Sequence, residues 1–184
     1  MKESVARYAD ELAEIFASNK HVVFLCGPSL KDMARPGAKL RSELEEKLTD
    51  ENFEVVLGED DGLEELREKY HSYAHLNEVK FIRNQCNTVL VIASSVGSFC
   101  EIGLFSYLRT LPKNVEEEWG SADIILLVDE SYKDEKSYLN EGPAMAVDDH
   151  DGKIFYGDLE SFDTTKLLER LRRRRAAWIA SGKN

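Results

Sequence analysis

At 184 residues, 42% of them hydrophobic, the chain is long enough to build one domain with a sizeable core. Its net charge of -11 and isoelectric point near 4.9 argue against general binding to nucleic acid or anionic membranes, which needs a dominant basic surface, so a small-molecule partner is expected. Three cysteines, Cys26, Cys86 and Cys100, form no disulfide framework or zinc spacing; beside apolar segments they read as reduced interior residues, and without an apolar signal core or membrane-length run the chain reads as soluble and cytoplasmic.

Residues 3–17 place Val5, Tyr8, Ala9, Leu12, Ile15 and Phe16 at helical spacing, predicting an amphipathic leading helix that covers a sheet edge or pairs with another subunit in a homo-oligomer. His21 to Cys26 reads as a first strand ending in Gly27-Pro28-Ser29, and Lys39 to Leu48 as a helix with leucines four apart. Phe53 to Leu57 gives a second strand, followed by Gly58-Glu59-Asp60-Asp61-Gly62 and one long charged helix over Leu63 to Asn84. Thr88 to Ala93 is β-branched and apolar without alternation, as in a strand covered on both faces of a parallel sheet. A small polar turn and a helix carrying Phe99, Ile102, Leu104, Phe105 and Leu108 follow. Ile124 to Val128, a weaker helix over Ser137 to Val147, a strand at Ile154 to Tyr156 and a helix from Thr164 to Ala180 complete the chain.

Five strands alternating with helices predict an α/β three-layer sandwich, flavodoxin-like, with a mainly parallel sheet in the order 2-1-3-4-5. Residues 1–184 then form a single domain. In that order strands 1 and 3 are neighbours at the switch point. Their carboxyl ends would line one crevice, with Glu59 and Asp60 at its side.

Glu101 is the carboxylate that this geometry aims into the crevice. Ser98 with Glu101 three residues later also fits a capping box, while Gly97 and Gly103 leave room for a ligand. The loop after strand 1 lacks GxGxxG and a Walker GKS or GKT, which removes support for hydride transfer and ATP hydrolysis. It offers backbone donors near Gly27 and Ser29, and Lys31, Arg35, Lys39 and Arg41 either meet a phosphate or are solvated charges of an ordinary loop. Glu59-Asp60-Asp61 either accept ribose hydrogen bonds or simply solubilise a loop. His71 and His75, four apart on a predicted helix, have no third ligand at suggestive spacing, so no metal is assigned. The run Arg172 to Arg175 suits the second half of a helix and has Glu169 and Glu160 as expected partners; a nucleic-acid contact is the less favoured reading.

The segments VVFLCGPS, FEVVLGED and NTVLVIASSVGSFCEIGLF, in that order, resemble the nucleoside 2-deoxyribosyltransferase-like proteins, which share a flavodoxin-like fold with TIR domains. Ser95 to Gly103 looks like the SxGxxxELG segment whose Glu attacks or stabilises the sugar anomeric carbon. YLNEGPAMAVDDHDGKIFYGDLESF is similar to the closing half of transferase-like proteins of bacterial defence and retron systems. The resemblance implies an N-glycosidase or glycosyltransferase acting on a nucleoside, nucleotide or NAD. Glu101 would be catalytic, and Cys26, Gly27, Pro28, Ser29, Glu59, Asp60, Ser94, Ser95, Gly97 and Ser98 would bind substrate. No cofactor is implied, NAD entering as substrate. The chain departs from the transferases where they place an Asp shortly before the Glu, since Ser94 and Ser95 stand there. The alternative is a non-catalytic nucleotide-binding sensor or an interaction subunit of a defence system.

Overall fold

The computed structural model describes residues 20–59, 65, 68, 69, 71, 73–111, 122–134 and 136–181. The leading helix expected over 3–17 lies outside the described residues, as do Asp60 and Asp61. Five strands, β1 (Val22–Cys26), β2 (Glu54–Leu57), β3 (Thr88–Ala93), β4 (Asp123–Asp129) and β5 (Lys153–Gly157), form one sheet in the order 2-1-3-4-5. Every neighbouring pair is parallel, with Leu25 opposite Leu57 on one side and Leu90 on the other. This is the flavodoxin-like class, and the strand order reverses between β1 and β3.

Strand residues alternate between two apolar layers because successive side chains of a strand point to opposite faces. Val23, Leu25, Leu90, Ile92, Ile125 and Leu127 pack with Leu40, Leu44 and Leu48 of α1 (Pro36–Asp50) and Leu167, Leu168 and Leu171 of α5 (Thr165–Ala180). Phe24, Cys26, Val89, Val91, Ala93, Ile124, Leu126 and Val128 pack with Val79 and Ile82 of α2 (Ala74–Gln85), Ile102 and Phe105 of α3 (Val96–Thr110), and Val147 of α4 (Met145–Asp149). The double coverage explains why β3, buried at all six positions, shows no polar alternation in the sequence.

Two helix expectations change. The single helix over Leu63 to Asn84 is interrupted: His71 takes a left-handed φ of 50° and Tyr73 is extended, so α2 starts at Ala74. His71 and His75 therefore do not share a helix face, and among the described residues no group of three ligating side chains could hold a metal. The segment before β5 is a π-helical turn, Asn140–Ala144, running into the short α4, with Pro143 inside it. Proline has no N–H to give to the ordinary i−4 carbonyl, which loosens the ladder there.

Candidate active site at the β1/β3 switch point

The turn after β3 is organised by serines. Ser95 is extended, at φ -142° and ψ 161°, and its Oγ accepts the Ser98 N–H, while Ser98 Oγ accepts the Ser95 and Ser94 N–H groups and donates to the Ser95 carbonyl. The capping box is thus Ser95 with Ser98, not Ser98 with Glu101. With Val96 as the first helical residue, Glu101 is the sixth, beyond reach of the N-cap, and its carboxylate is released from capping.

Glu101 instead faces a cavity of about 510 Å³ over the carboxyl ends of β1 and β2, lined by Cys26, Gly27, Ser29, Lys31, Arg41, Glu59, Glu78 and their neighbours. Its Oε2 is buried without a hydrogen-bond partner. Burial, and then the nearby Glu78, push the Glu101 carboxyl up to about 7 against the opposing pull of the Arg41 guanidinium; Glu59 adds to the rise and a hydrogen bond with the Cys26 thiol opposes it. Burial first, then Glu101 and Glu78, push the Cys26 thiol up, so it is held protonated at the strand end. Burial also raises Glu78, with Glu59 adding to it and His75 opposing.

Arg41 is the structural centre of this crevice. It projects from α1, is 2% exposed, and grips both Glu59 carboxylate oxygens at 2.7 Å each while donating to the carbonyls of Leu25 at 2.9 Å and Pro28 at 3.1 Å. Gly27 makes the approach feasible, since a Cβ there would lie 3.3 Å from Arg41 Cδ and 3.2 Å from Ile92 Cβ. The sequence offered Arg41 as a phosphate cation. In the fold its two terminal guanidinium nitrogens are taken up by Glu59 and the backbone of Leu25 and Pro28, and Arg35 pairs with Asp32 at 2.7 Å. Lys31, exposed at the rim, is a second cation of the cavity lining and has no ion pair among the described residues.

Of the residues singled out from sequence, Cys26, Gly27, Ser29, Glu59 and Glu101 meet around this cavity. Ser95 and Ser98 are spent on the cap, Gly97 is exposed within the first turn of α3, and Pro28 is buried behind the loop. None of these lines the cavity, and neither does Ser94. Ser94 Oγ is buried without a partner under α1, where any Cβ on Gly37 would collide with it. Cys100, expected inside, is exposed because it lies on the outer side of α3. Glu78 had no signal beyond being one of many charges in 63–84. Its place depends on how α2 crosses Gly58, where a Cβ would already be 3.3 Å from Glu78 Oε1.

A carboxylate poised near neutrality at the switch point of a flavodoxin-like sheet defines the class of protein: a parallel α/β domain with an acidic, ligand-sized crevice. The STM3845 retron effector protein family matches residues 37–180, and the chain belongs to that family. A search of curated proteins finds no match. Among solved structures, the flavodoxin of Streptococcus pneumonia TIGR4 is similar over 87% of this chain and 98% of the flavodoxin, at 10% identity and a TM-score of 0.38. The fold class rests on the strand order itself.

Proposed function

We propose that the protein cleaves the N-glycosidic bond of a nucleoside, nucleotide or NAD, with Glu101 as the catalytic carboxylate. The observation that carries the reading is Glu101 itself: an acid with a buried, unpartnered oxygen and an upward-shifted carboxyl, facing a cavity large enough for a nucleoside. In such a cleavage the C1′–N bond breaks with its electron pair going to the base, and the sugar becomes an oxocarbenium-like cation. Ionised Glu101 either stands against that charge or bonds to C1′ through an ester; water then adds its hydroxyl to C1′, its proton passing to the departed base or to solvent, and the products are the base and the sugar with whatever its 5′ oxygen carries. Glu59, held by Arg41, and Glu78 both line the cavity and would accept ribose hydroxyl hydrogen bonds in place of the Asp that the transferases carry. Lys31 at the rim is the residue for a phosphate.

Membership in a retron effector family suggests a bacterial defence setting and favours a second reading, in which the chain works with other components and turnover waits on a partner. One experiment separates the two. Purified protein is incubated separately with NAD, nucleoside monophosphates and deoxynucleosides, and free base is followed by chromatography beside Glu101→Gln. Base released by wild type alone supports the glycosidase. Ligand-induced thermal protection in both proteins without release from either supports the sensor or partner-dependent effector.

A further inference from the structure

A second cavity, about 520 Å³, lies between α5 and the edge strand β5, lined by Lys153, Phe155, Lys166, Glu169, Arg170, Arg173, Arg174 and Ala177. Five of these are cations, in a chain whose net charge is -11. Only part of that charge is spent on the fold. Arg170 clamps the buried Asp123 carboxylate at 2.7 and 2.9 Å, and Arg174 reaches the same Oδ1 at 3.4 Å; both also donate to the Asp151 carbonyl, at 2.6 and 3.0 Å. Arg173 has an exposed contact to Glu169 one turn away, at 3.2 Å. Lys153 and Lys166 are exposed and form no ion pair among the described residues, although Asp163 lies near Lys166. Counting Asp123 and Glu169 against the five cations leaves an excess of three positive charges on one face.

We infer that this groove binds the phosphodiester backbone of a single nucleic-acid strand. A single small anion needs converging donors, whereas Lys166, Arg170, Arg173 and Arg174 are strung over nine residues of α5, about 12 Å of helix axis, with Lys153 continuing the row onto β5. A row of that length matches successive phosphates, and the half-buried Arg170 and more exposed Arg174 guanidiniums are held in fixed orientations by Asp123 at the lining of the groove. A bilayer surface would call for large exposed apolar side chains beside the cations, and the lining supplies only half-buried Phe155 and the small side chain of Ala177. The acidic remainder of the surface restricts binding to this face, so the attachment is electrostatic, sequence-tolerant and strongly salt-dependent.

The test is fluorescence anisotropy of a labelled oligothymidylate of about 20 nucleotides at low salt, chosen to exceed one groove's length. The triple variant Lys153→Glu, Lys166→Glu, Arg173→Glu changes only exposed side chains and leaves the Asp123 clamp intact; Lys39→Glu, Lys133→Glu, Lys136→Glu is its charge-matched control. Wild type and control should bind alike and lose about 20-fold in affinity between roughly 50 and 200 mM salt, the slope expected for about three neutralised phosphates on a single strand. The triple variant should lose at least tenfold at low salt and most of the salt slope. Absence of wild-type binding, equal binding by the triple variant, equal weakening by the control, or stronger association with phosphatidylserine vesicles than with the oligonucleotide would each overturn the assignment. Base release by Glu101 is read separately, so failure of either proposal leaves the other standing.

Discussion

The crevice above β1 and the groove beside β5 have nearly the same volume, about 510 and 520 Å³, and opposite charge. They also differ in depth. In the crevice Glu101, Glu78, Cys26 and Arg41 are half or fully withdrawn from water, so the first three resist becoming charged, and Arg41 is locked into four hydrogen bonds. In the groove Lys153, Lys166 and Arg173 are exposed, while Arg170 and Arg174 are held on Asp123. Burial shifts the pH at which a carboxyl ionises, while exposure leaves charge as a field that salt screens.

The largest expected effect falls on chemistry. Glu101→Gln should lower base release at least 100-fold while leaving nucleotide-induced thermal protection in place; retention of turnover would end the catalytic assignment of Glu101. Next comes Arg41→Ala, which strips donors from two strand-end carbonyls and from Glu59. Because Glu59 is partly exposed and can rehydrate, a loss of about 2–3 kcal/mol is expected in urea unfolding, with the crevice spoiled for ligand. Glu101→Ala would test the contrast in another way, but the isosteric Gln keeps packing and so isolates charge.

Stability against pH gives a third test. The folded carboxyl of Glu101 titrates near 7, above its ordinary value of 4.5, so the native state holds a proton that the unfolded chain has released between those values. Stability from this group is therefore full below about pH 4.5 and is lost as pH rises toward 7; Glu78, also raised, acts in the same direction. Glu101→Gln should stabilise the protein at pH 8 by on the order of 2 kcal/mol and leave it unchanged near pH 4, read from melting at the two pH values. If the ionised carboxylate is the working form, kcat/KM should rise with pH to a plateau with a midpoint near 7. A flat profile from pH 6 to 8 would assign the limiting ionisation elsewhere. The smallest effect belongs to the groove: Arg173→Ala removes an exposed contact one helical turn long and should shift stability by less than about 0.5 kcal/mol.

The legible parts of the molecule were those fixed by period and punctuation. The strand order followed from five apolar runs separated by helices, and Glu101 stood out because a strand, a serine-glycine turn and a helix met at one carboxylate. Three features escaped because they depend on which element lies over which. Ser95 rather than Ser98 caps α3, since the helix begins one turn earlier than the Ser98–Glu101 spacing suggested. Glu78 reaches the crevice only because α2 passes over Gly58. The partners of the arginine run were expected nearby at Glu169 and Glu160. Glu169 does meet Arg173, but Arg172 pairs with Glu51, Arg174 with Asp123, and Arg175 stacks over Phe53 while donating to the Glu51 carbonyl.

Hydrophobic periodicity and turn chemistry are local, and they alone determined a doubly covered parallel sheet with an acid at its switch point. The ion pairs that tie the elements together are long-range: Arg41 with Glu59 spans two βα units, and Arg170 with Asp123 joins the last helix to the fourth strand. Which cations were consumed inside the crevice and which carboxylates the arginines of α5 met was decided only when the helices packed, because desolvation and donor geometry exist only between elements already brought together.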